Sequence, residues 1–118
     1  MTKIRFLKSD GVFYGFEEEG HAGFSEAGPD IICSAISAMT MLVINIIEVA
    51  VGSDVEYSID EDTTNIKVLA KGALEKFESD EKKRFAVASV LMGYYLQLND
   101  MLEDYYEFID VEEEERPV

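Results

Sequence analysis

Residues 28–52, GPDIICSAISAMTMLVINIIEVAVG, decide how this chain folds. Glu48 is the only charged residue from Ile31 to Val51, a run of about the length that crosses a bilayer. Ser34, Ser37, Thr40, Asn45 and Glu48 nevertheless interrupt it, and neither end carries the Lys or Arg that anchors a membrane helix at the interface. Apolar residues recur at helical spacing at Ile32, Ile36, Met39, Val43, Ile46 and Ala50, so the segment reads as the buried helix of a packed core. Pro29 disfavours helix at Gly28, Asp30 is a good N-cap and Gly52 a good stop, which predicts a helix over about residues 31–51 with Cys33 in its first turn.

Ahead of that helix the chain reads as a hairpin. Ile4 and Phe6 alternate with Lys3 and Arg5, Asp10-Gly11 supplies the turn, and Val12, Tyr14 and Phe16 alternate on the return to Gly20. Residues 21–30, HAGFSEAGPD, have no period and carry Gly23, Gly28 and Pro29, the composition of a mobile loop. Beyond the helix, Val55, Tyr57 and Ile59 form one strand and Ile66, Val68 and Ala70 another, joined by the polar turn Asp60 to Asn65. Ser79 or Asp80 opens a second long helix with an apolar stripe at Phe85, Ala88, Met92, Tyr95, Met101 and Tyr105, and Gly93 and Asn99 allow a bend midway. There is room for a last short strand at Phe108 to Val111. The acidic tail, about residues 112–118, reads as frayed and solvated. The expectation is a single compact α+β domain over residues 1–118, in which an antiparallel sheet of two hairpins, ordered ββαββα with or without that last strand, is covered by two long helices.

Composition narrows the function. The 118 residues hold 25 Asp and Glu against 10 Lys and Arg, a formal net charge of -15, which disfavours nucleic acid and anionic membrane surfaces as partners and either attracts basic proteins or peptides or merely keeps a small protein soluble. One cysteine permits no internal disulfide and suits a reducing compartment, and the charged start shows no apolar export signal, so a cytoplasmic setting is expected. A single His and a single Cys cannot close a structural zinc site. Asp60, Asp62 and Thr64 echo a calcium loop but have Asn65 where its glycine belongs, and no phosphate-binding glycine loop occurs. No metal and no cofactor is expected.

Cys33 and His21 remain. In the first turn of a helix a thiolate is favoured by unpaired N–H groups and the helix dipole, and His21 stands where the second strand gives way to the loop leading into that helix. The same N–H groups offer a place for an oxyanion. On composition alone a free cysteine is usually a core residue and a lone histidine beside glycine a turn residue, while Asp30 is explained by capping and Ser37 by helix packing. Spacing leaves the core and the catalytic readings both open.

The stretch GHAGFSEAGPDIICSAISAM, residues 20–39, resembles the signature of the bacterial ribosomal-processing cysteine proteases, the Prp family. The matching positions are Gly20, His21, Ala22, Gly28, Asp30, Cys33, Ala35 and Ser37. Ile32 and Ser34 depart from the commoner valine and alanine without touching the chemistry. The resemblance implies a thiol endopeptidase with a Cys-His dyad, Cys33 as nucleophile and His21 as base, with Asp30 and Ser37 in support. It implies removal of a short N-terminal extension from a large-subunit ribosomal protein, after an aromatic pair, by a homodimer whose loop over residues 22–29, bounded by Gly23 and Gly28, closes over the peptide. Two other classes stay open: a non-catalytic acidic module that grips a basic ribosomal protein, and a thiol redox sensor using Cys33 alone.

Overall fold

The computed structural model describes residues 1–20 and 27–118, and of residues 27–30 the backbone only. Strands β1 (Thr2–Ser9) and β2 (Val12–Glu19) form the first hairpin. Asp10 and Gly11 both take positive φ, 49° and 77°, the pair of values a two-residue hairpin turn needs and the reason the Asp-Gly dipeptide stands there. Helix α1 (Ala27–Asn45) runs into a π-helical turn (Ile46–Val51) that closes at Gly52, as expected. Strands β3 (Glu56–Ile59) and β4 (Ile66–Leu69) follow. Between them Asp60 accepts hydrogen bonds from the backbone N–H groups of Asp62 and Thr63, so its carboxylate closes the turn. Helix α2 (Glu81–Tyr105) is capped by Asp80, which accepts from the N–H groups of Lys82 and Lys83 at 2.9 and 3.4 Å, and β5 (Ile109–Glu115) ends the order.

The five strands make one sheet in the order β3-β4-β2-β1-β5. The expectation of an antiparallel sheet is corrected at its edge: β5 pairs with β1 in parallel. The cause is the connection. Only strands joined by a tight turn must run antiparallel, whereas α2 carries the chain back across the sheet from β4, so β5 points the same way as β4 and β1. The acidic tail is corrected with it. Residues 112–115 are strand rather than frayed end, because Ile109 is buried in the core while Glu112 and Glu114 meet Arg5 across the strand pair. Arg116 continues this outer face, pairing with Glu17 and Glu114. Burial alone would push Glu17 up, but hydrogen bonds from Arg116 and Arg5 outweigh it and hold its carboxyl below the ordinary range.

Both helices contribute to one core with the sheet. Ile4, Phe6 and Phe16 meet Ile32, Ile36, Val43 and Ile44 of α1 and Val87, Leu91, Tyr94 and Leu98 of α2. Two side-chain expectations shift. In β2, Leu7 pairs with Gly15 but Lys8 with Phe13, so Tyr14 is the extra residue of a bulge, and Phe13 joins Phe16 beside Phe6 in place of the exposed Val12. In α2 the buried stripe is Val87, Leu91, Tyr94 and Leu98; Phe85, Met92 and Tyr105 are exposed. A helix with large apolar residues on several faces turns one continuous row inward, here spaced four, three and four, and the helix passes Gly93 and Asn99 unbroken.

The two stripes of α2 give opposite forecasts for stability. Leu91→Ala should lose about 2–5 kcal/mol and Phe85→Ala, at 75% exposure, under about 0.5 kcal/mol, read from urea unfolding of each variant. Equal losses would show that the helix presents another face.

Candidate active site

The site is built where three segments meet: the start of β1, the end of β2 and the first half of α1. Antiparallel pairing sets Lys3 opposite Glu19, so Thr2 lies beside Gly20, where the second strand ends. Gly20 has φ of 85°, and a Cβ there would stand 2.3 Å from the Met1 carbonyl oxygen and 3.7 Å from Thr2 Cα. Both the conformation and the close backbone approach require glycine. From the other side α1 brings Cys33, half-buried, with its sulfur 3.8 Å from Thr2 Oγ1. Thr2 therefore lies beside Gly20, the residue before His21, and its hydroxyl reaches the only thiol of the chain.

Helix α1 starts earlier than the sequence suggested. It begins at Ala27, so Asp30 lies inside the first turn instead of capping it, and Cys33 falls in the second turn. Pro29 is no obstacle, because the first turn of a helix has no use for the N–H that proline lacks. Two expectations go with the shift. The backbone N–H of Cys33 lies within the helical ladder, so unpaired first-turn N–H groups do not surround the sulfur, and the dipole acts chiefly on the turn before it. The helical part of the expected loop, residues 27–29, is likewise no loop. Ser37 is exposed, one turn past Cys33. His21 and Gly23 lie outside the described residues, and Gly28 and Asp30 lie on the backbone of the first turn of α1.

A buried polar group stands two residues before Gly20 on β2. Glu18, 1% exposed, accepts hydrogen bonds at Oε1 from Thr40 Oγ1 and from the Tyr94 hydroxyl, each at 2.6 Å, and those two hydroxyls are 3.1 Å apart. One carboxylate oxygen thereby ties β2 to α1 and to α2. Burial, reinforced by Glu18, pushes the Tyr94 hydroxyl far above the ordinary tyrosine range, so it stays protonated and donates. Sequence reasoning missed Thr2, Glu18, Thr40 and Tyr94. The signal was present in each case as a polar residue on an apolar period: Thr2 continues Ile4 and Phe6, Glu18 continues Phe16, Thr40 lies between Ile36 and Val43, and Tyr94 lies between Leu91 and Leu98.

A family model described as cysteine protease Prp matches residues 1–110. Among solved structures the chain is similar to SMU.848 from Streptococcus mutans, with 29% identity over 98% of this chain and 96% of that one and a TM-score of 0.81. It is also similar to an essential ribosomal processing protease Prp from S. aureus, solved with a substrate peptide (18% identity, TM-score 0.78) and with a covalently linked product peptide (19%, 0.76). Each of these two alignments covers 97% of this chain and 100% of the other, and at that identity they show a shared fold. Comparison with curated proteins gives no significant match.

The buried tie makes a pH forecast. The unfolded chain releases the Tyr94 proton near pH 10 while the folded protein keeps it, so this contribution to stability is complete below about pH 10 and declines as pH rises above it. Tyr94→Phe should cost about 1–3 kcal/mol at neutral pH, because Glu18 loses a donor, and should flatten the alkaline decline. Urea unfolding from about pH 7 to 11 reads both effects; a variant as steep as the parent would separate the decline from Tyr94.

Proposed function

Because the chain belongs to the cysteine protease Prp family, we propose that it is an endopeptidase that removes a short N-terminal extension from a large-subunit ribosomal protein, with Cys33 as nucleophile and His21 as base. The observation that carries this reading is the position of Thr2, which lies beside Gly20, the residue before His21, and whose hydroxyl reaches the half-buried Cys33 sulfur. The Cys33 sulfur attacks the scissile carbonyl, His21 gives its proton to the departing amine, and the thioester left behind is hydrolysed by water that His21 activates. A basic ribosomal precursor suits a chain of net charge -15, and the S. aureus relative, a ribosomal processing protease, is known with substrate and product peptides. The same reading takes the protein as cytoplasmic and homodimeric; exposed Met41, Leu42 and Val49 on the outer side of the α1 segment would suit a second copy.

The test is to incubate the protein with the extended ribosomal precursor and measure product masses. Cys33→Ser should lower processing by roughly a thousandfold or more while leaving the melting temperature within a few degrees of the parent. Continued processing by Cys33→Ser would overturn the protease reading. Tight binding of the precursor without cleavage by the unmodified protein would favour an acidic binding module, and reversible oxidation of Cys33 without cleavage a redox sensor.

A further inference from the structure

We propose that Thr2 is a positioning residue for the Cys33 nucleophile, its hydroxyl donating a hydrogen bond that holds the sulfur in its reactive, deprotonated form. The proposal rests on the protease reading of Cys33. Thr2 is 3% exposed, and its Oγ1 lies 3.8 Å from Cys33 Sγ, within reach of a hydrogen bond to sulfur. Its place is fixed on both sides. The Thr2 N–H donates to the Phe108 carbonyl at 2.8 Å, and its Cα borders the glycine-only gap at Gly20. A β-branched side chain on a strand has few rotamers, so fixing the backbone also fixes where the hydroxyl points.

The chemistry gives the contact a direction. Between a thiol and a hydroxyl either group can donate, but a thiolate has no proton and only accepts, so the threonine must then be the donor. A hydrogen bond made to the charged form favours that form. This contact acts where the helix does not, since Cys33 sits in the second turn of α1, past the unpaired N–H groups. A buried hydroxyl in an otherwise apolar row, with Ile4 and Phe6 next on the same face, has its polar purpose at the sulfur.

Thr2→Val keeps the shape and removes the donor; Thr2→Ser keeps the donor. The pH profile of Cys33 alkylation by iodoacetamide is measured on the full chain for the parent and both variants, beside processing kinetics. Thr2→Val should move the alkylation midpoint to higher pH, slow alkylation below the parent midpoint by about three- to tenfold, and lower kcat with KM little changed. Thr2→Ser should restore the profile. Thr2→Ala, taken through the same titration, keeps the answer independent of how well one variant folds. A midpoint that stays in place in Thr2→Val and Thr2→Ala overturns the proposal. Failure of the protease reading shows itself without any Thr2 variant, as processing that survives Cys33→Ser.

Discussion

The Oε1 atom of Glu18 holds the layers in register. It accepts from Thr40 on α1 and Tyr94 on α2, so a strand and both helices share one buried acceptor. Apolar contacts alone leave a helix free to turn by some tens of degrees on a sheet, because they have no direction; two short hydrogen bonds to one atom do not. Thr40 follows Cys33 by seven residues, two turns along the same face of α1 and about 10 Å along its axis. Fixing the roll of the helix at Thr40 fixes which way Cys33 points, and it points at the start of β1. A carboxyl group in the core needs partners in place of water, and the hydroxyls of Thr40 and Tyr94 supply them at Oε1. Phe6 and Phe16, edge-on to Tyr94 at 5.7 and 5.1 Å, hold the tyrosine in place so that its hydroxyl reaches Glu18.

The acidic excess is distributed with the same economy. On the outer face of the sheet Glu17, Glu112 and Glu114 surround Arg5 and Arg116, and at the β5 edge Glu113 takes Lys8 at 2.6 Å and the Tyr95 hydroxyl at the same distance. Single exposed pairs are each worth little. Their number matters because β5 is bound to the sheet by only one strand, and alternate carboxylates on it meet cations already fixed on β1. The edge strand thus stays on the sheet although four of its seven residues are glutamate.

Much of this was legible because several signals are local. Asp10-Gly11 forces its turn through two positive φ values, Asp80 caps α2 through N–H groups two and three residues away, and Gly52 ends the π-helical turn; none of these depends on the remainder of the fold. The failures were failures of long range. The direction of β5 depends on α2 crossing the sheet, the phase of α2 on which aliphatic row meets Phe6 and Phe16, and the bulge at Tyr14 on the register with β1. The helix start was misjudged for a different reason. Pro29 reads as a breaker in a sequence, yet within the first turn it is an ordinary helical residue. At the site, Cys33 and His21 were singled out by type and by resemblance, while Thr2 and Glu18 passed as strand residues because a polar side chain on an inward position is informative only once the face is known.

The early helix start changes which polar groups stand near the Cys33 sulfur. With Cys33 in the first turn, backbone N–H groups would have supplied polarity from the helix itself. With Cys33 in the second turn those groups are already bonded along the ladder, and the polar neighbour of the sulfur is a side chain of another segment, Thr2 of β1. Such side chains are useful only if the segments cannot drift apart. At this corner that constraint is the gap between Met1 and Gly20, where a Cβ would come within 2.3 Å of a carbonyl oxygen and force the two strands apart. A methyl group there would move Thr2 and the end of β2 relative to α1, and a contact of 3.8 Å between hydroxyl and sulfur has little tolerance for such movement. Glycine at position 20 is therefore a requirement of the sheet and of the site together, since the same close approach that lets β1 and β2 pair to their ends brings the only thiol to a fixed polar neighbour.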